Sequence, residues 1–170
     1  MEDRNLSVSP VQSDIDSLYE EYSSMVYRLA LVRTRNPSDA EDIVQDVFLR
    51  YLKYSPVFEN KEHQKAWLIT VTINRTNTIL GSAYRKHNVP FELFADPAVE
   101  DEIPDSSVYD AVLKLPSKFR TVIHLYYYED YSVKEIASIM HASETAVKTW
   151  LRRARLKLQD ELKEDIEDVS

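Results

Sequence analysis

The chain contains no cysteine, a single glycine and no apolar run long enough to cross a membrane. Without cysteine, disulfides and cysteine-ligated zinc are excluded, and a reducing compartment such as the cytoplasm fits. A β-rich fold needs turn residues at close intervals, and one glycine with seven prolines in 170 residues does not supply them. An all-α protein is therefore expected. One glycine also leaves no phosphate-cradling loop. His63, His87, His124 and His141 are scattered without partners at ligand spacing, so no metal, cofactor, catalytic residue or small-molecule substrate is expected. The acidic start, Glu2-Asp3, is not that of a signal peptide.

What is present is 44% hydrophobic residues, enough for one moderate core or two small ones, and a net charge of -8. As a sum that charge opposes nucleic-acid binding, so its distribution decides. The most informative stretch runs from Ser132 to Leu158. Ser132 and Glu135 have capping-box spacing, and Val133, Ile136, Ala137 and Met140 recur at helical spacing behind them. His141-Ala142 breaks the pattern, and Ser143 is placed to cap a second helix. On that helix Val147, Trp150, Leu151, Ala154 and Leu158 fall on one side. Lys148, Arg152, Arg153, Arg155 and Lys157 take the rest, with no acid between Lys148 and Lys157. Two crossed helices with a basic second member predict a helix-turn-helix that enters the major groove. The plainer reading of the charges is a solvated face on a helical hairpin.

Taken in order, Met1 to about Asp14 is polar and aperiodic and reads as a disordered tail. From Ile15, Leu18, Tyr22, Met25, Val26 and Leu29 make a helical stripe, which Arg33-Thr34-Arg35-Asn36-Pro37 ends. Ser38 and Glu41 look like a second capping box, opening a helix to about Tyr54 that buries Ala40, Ile43, Val44, Val47 and Tyr51. Phe48 and Leu52 add apolar surface on a further flank, which suits either a partner or burial on two sides. Asp39, Asp42 and Asp46 share a face, but no His follows a Glu at the spacing of carboxylate metal helices. A loop from Ser55 to His63 precedes a third helix, Gln64 to about Lys86. Its β-branched run Ile69-Thr70-Val71-Thr72-Ile73 favours a strand locally, yet the chain offers no second strand to pair with it. Basic Lys61, Lys65, Arg75, Arg85 and Lys86, interleaved with Trp67, suit single-stranded nucleic acid as well as a solvated helix. From Val89 to about 107 three prolines and a run of acids without a basic residue predict a flexible linker between two small domains. Short helices then lead into the helix-turn-helix, Lys118 to Tyr128 among them, and Asp160 to Ser170 reads as an acidic frayed end.

LKLPSKFRTVIHLYYYEDYSVKEIASIMHASETAVKTWLRRARLKL resembles region 4 of the extracytoplasmic-function (ECF) group of bacterial RNA polymerase sigma factors. DAEDIVQDVFLRYLK, followed by a phenylalanine and WLITVTIN, resembles their region 2. The resemblance implies a region 2 bundle over 15–88, a linker over 89–107, a region 4 helix-turn-helix over 108–163 and an acidic tail over 164–170. It implies promoter DNA, the clamp helices and flap of core RNA polymerase, and an anti-sigma factor as partners, in the cytoplasm. Position by position it assigns Asp42, Gln45, Asp46, Phe48 and Leu49 to polymerase. It assigns Phe58, Asn60, Lys61, His63, Asn74, Arg75, Arg85 and Lys86 to the −10 element, where one base is held flipped. Ser143, Thr145, Lys148, Thr149, Arg152, Arg153 and Arg155 fall to the −35 element, and Lys118 to Tyr128 to the surface facing the flap. Asp130 and His141 stand where the family often has glycine, and Trp150 where a basic residue is frequent. A free-standing helix-turn-helix regulator is the alternative, and it leaves the first half unexplained.

Overall fold

The computed structural model describes residues 10–87 and 107–168, and all regular structure among them is helical. Three long helices, α1 (Pro10–Thr34), α2 (Pro37–Tyr54) and α3 (Lys61–His87), make the first half. The second half holds α4 (Ser107–Leu113), α5 (Ser117–Ile123), a π-helical turn (His124–Tyr128), α6 (Val133–Ile139) and α7 (Glu144–Asp168).

The expected stripe of α1 is buried throughout, with Leu18, Tyr22, Met25, Val26 and Leu29 facing α2 and α3. The helix starts earlier than its periodicity suggests. Residues 10–14, expected in a disordered tail, are its first turn, and the Tyr51 hydroxyl donates to the Asp14 carboxylate at 2.9 Å. Residues 1–9 of that tail lie outside the described residues.

The entry to α2 also differs. No capping box forms at Ser38 and Glu41; Asn36 is the N-cap, its side chain accepting from the Asp39 amide at 3.1 Å. Pro37 fills the first helical position, where its missing N–H costs nothing and its φ is already helical. Ala40, Ile43, Val44, Val47 and Tyr51 are buried as expected.

The β-branched stretch of α3 is helical because its polar members find partners within the helix. Thr72 Oγ1 donates to the Leu68 carbonyl at 2.7 Å and Thr70 Oγ1 to Ala66 at 2.9 Å, while Ile69 and Ile73 are buried against the bundle. Its start is displaced from the expected Gln64. Asn60 caps it, accepting from the His63 amide at 2.9 Å, so Lys61 to His63 belong to the first turn rather than to a loop.

In the second half the capping box of α6 is complete. Glu135 N donates to Ser132 Oγ at 3.1 Å and Ser132 N to Glu135 Oε2 at 2.8 Å. His141 then turns the chain with φ 53°, and Asp130 does the same before α6 with φ 57°. These are left-handed conformations that glycine adopts most freely and that Asp and His tolerate better than most. The segment expected as one helix from Lys118 to Tyr128 changes register at His124, where a π turn begins and Glu129 N bonds back to His124 O. The end of α7 is not frayed: the acidic stretch from Asp160 is helical to Asp168, and Glu161 pairs with Lys114 near the end of α4 at 3.2 Å. The expected linker over 89–107 lies outside the described residues except for Ser107, which opens α4.

Candidate nucleic-acid interface

The outer face of α7 follows from the burial of its inner one. Val147, Leu151 and Ala154 are buried against α4, α5 and α6, so the helix must turn Thr145, Lys148, Arg152 and Arg153 outward, and all four are exposed. Ser143 sits at the start, its hydroxyl accepting from the Ala146 amide at 3.0 Å, so it serves as the cap. The Thr149 hydroxyl is turned back onto the Thr145 carbonyl at 3.0 Å. Arg155 is exposed but held: its Nε donates to the Tyr127 hydroxyl at 2.7 Å and its guanidinium lies over the rings of Tyr126 and Tyr127. Trp150, half-buried, carries the Lys118 ammonium over its ring at 4.7 Å, so a cation stands beside the position where a basic residue was missing.

The residues expected at the −10 element cluster on the loop before α3 and along that helix. Phe58 packs on Tyr51 and Trp67, with ring centroids 6.2 and 6.0 Å apart, and so closes the end of the bundle. Asn60 spends its side-chain oxygen on the cap. Lys61 is exposed and reaches Glu21 at 3.4 Å, and His63 Nδ1 lies 3.7 Å from Glu59. Asn74 is exposed on the same helix, one residue before Arg75, whose guanidinium pairs with Asp46 of α2. The side chains of Arg85 and Lys86 lie outside the described residues.

Of the residues expected to meet polymerase, Asp42, Gln45 and Leu49 are exposed, Leu49 at 62%. Asp46 is half-buried between Arg75 and Arg50. Phe48 is the exception. It is buried, with Tyr19 packed edge-on at 5.0 Å, so the further flank of α2 is partly covered by α1.

Some residues have roles that spacing did not signal. Arg120, Thr121 and His124, within the segment expected to face the flap, are buried. So is Arg33, which the sequence offers only as part of a helix end. A buried arginine carries no periodic signature, because its exposure depends on what the other half of the chain places over it.

Two small helical domains, one with a basic helix-turn-helix and the other with a polar face at the start of a long helix, define a DNA-binding protein of transcriptional type. Residues 18–86 match the family Sigma-70 region 2, and residues 106–158 match Sigma-70, region 4. The RNA polymerase sigma factor SigV of Bacillus subtilis is 31% identical over 143 residues, which cover 82% of this chain and 86% of SigV. The ECF RNA polymerase sigma factor SigL of Mycobacterium tuberculosis is 31% identical over 157 residues, covering 85% of this chain and 88% of SigL. The chain belongs to the ECF group of RNA polymerase sigma factors, which direct core polymerase to promoters and initiate transcription. Among solved structures, the sigma factor RpoE of Bartonella quintana, in complex with the anti-sigma factor NepR, superposes with a TM-score of 0.73 at 23% identity. That match covers 89% of this chain and 98% of RpoE. CnrH, in complex with the cytosolic domain of CnrY, has a TM-score of 0.66 at 22% identity, covering 91% of this chain and 90% of CnrH. These two likenesses concern the fold. Among the described residues no helix is long and apolar enough to cross a membrane.

Proposed function

We propose that the two halves divide promoter recognition between them. Region 2, residues 15–88, binds core polymerase through Asp42, Gln45, Asp46 and Leu49, and holds one extruded base of the −10 element beside Asn74. Region 4, residues 108–163, reads the −35 element through Lys148 and Arg152, with Thr145, Arg153 and Arg155 on the flanking phosphates. The observation that carries this reading is the face of α7. Lys148, Arg152 and Arg153 are exposed while Val147, Leu151 and Ala154 are buried, so the helix presents cations to the groove in one orientation only. The protein acts by positioning polymerase and has no catalytic role of its own. Its workplace is the cytoplasm, where core polymerase and DNA are found. The anti-sigma factor bound to RpoE supports a partner of that kind for this chain.

The test is run-off transcription with bacterial core polymerase over a library of −10/−35 promoters. Discrete transcripts from a subset of the library are expected, each requiring both elements. Binding to palindromic DNA as a dimer, with no transcript from any member, would return the chain to the free-standing regulators.

A further inference from the structure

Two cations beside α7 are held against aromatic rings, one on each flank of the helix. At about 3.6 residues per turn, Arg155 lies to one side of the exposed strip Thr145, Lys148 and Arg152, and Arg153 and Trp150 lie to the other. On the first side the Arg155 guanidinium rests on the rings of Tyr126 and Tyr127, 5.6 and 5.7 Å from their centroids. On the second side the cation comes from another helix. Lys118, in the first turn of α5, sets its Nζ 4.7 Å from the centroid of the Trp150 ring and 6.0 Å from that of Phe119.

Rings place a cation without discharging it. An aromatic face attracts an ammonium through its quadrupole but carries no formal charge to cancel it. Elsewhere carboxylates do cancel it: Lys114 pairs with Glu161 at 3.2 Å, Lys61 with Glu21 at 3.4 Å, and Arg75 with Asp46. Among the described residues Lys118 has no carboxylate partner, and neither has Arg153. Lys118 is exposed, while Trp150 is half-buried and fixed in the packing of α7 on α5. The ammonium is therefore seated on the side of α7 that also carries Arg153, with its charge still available.

The width of the groove gives this arrangement a use. The major groove of B-DNA is about 12 Å across, and a helix with its side chains is about 10–12 Å thick. A helix that turns Lys148 and Arg152 to the base edges therefore brings both its flanks against the phosphate strands that wall the groove. Contacts to those strands fix the orientation of the helix and carry no sequence information.

We propose that Lys118, seated on Trp150, is a phosphate anchor for the DNA strand on the Arg153 side, and that with Arg155 against the opposite strand it clamps the recognition helix in the groove. This takes Lys118 from the surface facing the flap, and it rests on the assignment of α7 to the −35 element.

The contact is tested in holoenzyme formed from the full chain and core polymerase, bound to a promoter duplex. One lost phosphate contact reduces the slope of log affinity against log salt by about 0.9. Lys118→Ala should therefore bind roughly tenfold more weakly at about 50 mM salt and roughly threefold at about 200 mM, with the ranking of −35 variants unchanged. Adding Trp150→Arg puts a cation on the same flank and should return the slope to that of the parent. Neutral methylphosphonate, placed at one linkage at a time through the −35 region, locates the contact. The parent should lose affinity at a linkage to which Lys118→Ala is indifferent. Trp150→Leu keeps the charge but removes its seat, so the salt slope should hold while the sensitivity spreads to neighbouring linkages. Trp150→Phe should keep it at one. An unchanged slope and linkage profile for Lys118→Ala overturns the anchor. So does weaker binding of core polymerase with DNA binding intact, which would return Lys118 to the flap. A Trp150→Leu profile as sharp as the parent's overturns the seat. Indifference of the parent holoenzyme to base changes at −35 is a different failure, that of the assignment of α7 itself.

Discussion

Arg75 of α3 pairs through its guanidinium with the carboxylate of Asp46 on α2, so a residue assigned to DNA and one assigned to polymerase hold each other. Asp46 also meets Arg50 one turn along at 3.4 Å. Removing Asp46 therefore has two effects, and removing its neighbour Gln45 has one. Asp46→Ala is expected to weaken core polymerase binding by about 2 kcal/mol, or roughly thirtyfold, and to release Arg75 to bind −10 DNA more tightly at low salt. Gln45→Ala should weaken polymerase binding alone. Titration of core polymerase alongside anisotropy on a −10 single strand checks this, and identical profiles for the two variants would refute the division.

Asn74 is exposed on α3, where the −10 base is expected. Unstacking a base costs a few kcal/mol, and a pocket that lacks one hydrogen-bonding group offsets less of it. Asn74→Ala should reduce open-complex formation about tenfold, close to 1.4 kcal/mol, while closed-complex binding changes little. Permanganate reactivity of the non-template strand measures the difference, and a footprint equal to that of the parent protein would remove Asn74 from the pocket.

Arg155 has its Nε committed to the Tyr127 hydroxyl and its plane lies over two tyrosine rings, whereas Arg152 is simply exposed. Bidentate base reading needs an unencumbered guanidinium. Arg152→Ala is expected to flatten discrimination among −35 variants by about 1–3 kcal/mol. Arg155→Ala and Tyr127→Phe should weaken all variants alike. Equal losses on every variant for Arg152→Ala too would place base reading elsewhere.

Glu129 supplies a pH dependence. Burial pushes its carboxyl up, but His124 and Lys65 outweigh that and hold it below the usual value of 4.5. A carboxyl lowered on folding stabilises the native chain above the unfolded value, and the contribution disappears as pH falls through the folded one. The parent protein should therefore lose more stability than Glu129→Gln on acidification below about pH 4.5. Urea titrations at pH 7 and pH 4 make the comparison, and a larger loss in the Gln variant would reverse the sign.

Gly81 lies inside α3, and a methyl group there would meet nothing within 4 Å. Gly81→Ala should stabilise the protein by about 1 kcal/mol and raise Tm by about 3 °C, read by thermal circular dichroism. No change would mean that the helix gains nothing from order at that point.

The helix-turn-helix was legible because its signals are local. Ser132 and Glu135 form the box that their spacing announces, and Val147, Leu151 and Ala154 are buried at the period expected. The helical ends were less so. Asn36 and Asn60 act as caps through single side-chain bonds that compete with equally plausible neighbours, and Asp14 is drawn into α1 by a tyrosine far along the chain. The candidate site residues fall in groups along the sequence, but their pairings were not legible in it. That Asp46 holds Arg75, or that Phe48 lies beneath Tyr19, depends on how α1, α2 and α3 sit together. Arg33 and Arg120 were the least legible, since a cation at a helix end ordinarily means solvent and here means the other half of the chain.

The chain places its one glycine inside a helix and, among the described residues, turns four corners, at Arg35, Ser55, Asp130 and His141, with residues in the left-handed region. Each such corner costs roughly 1–2 kcal/mol relative to an unstrained backbone. Against a total margin of about 5–15 kcal/mol this is a substantial share, and a smaller margin leaves more of the chain in the opened forms that proteases take. Resistance to proteolysis is thereby adjustable away from the assigned surfaces: His141→Gly and Gly81→Ala are expected to raise it, with no change to any side chain assigned to polymerase or to DNA.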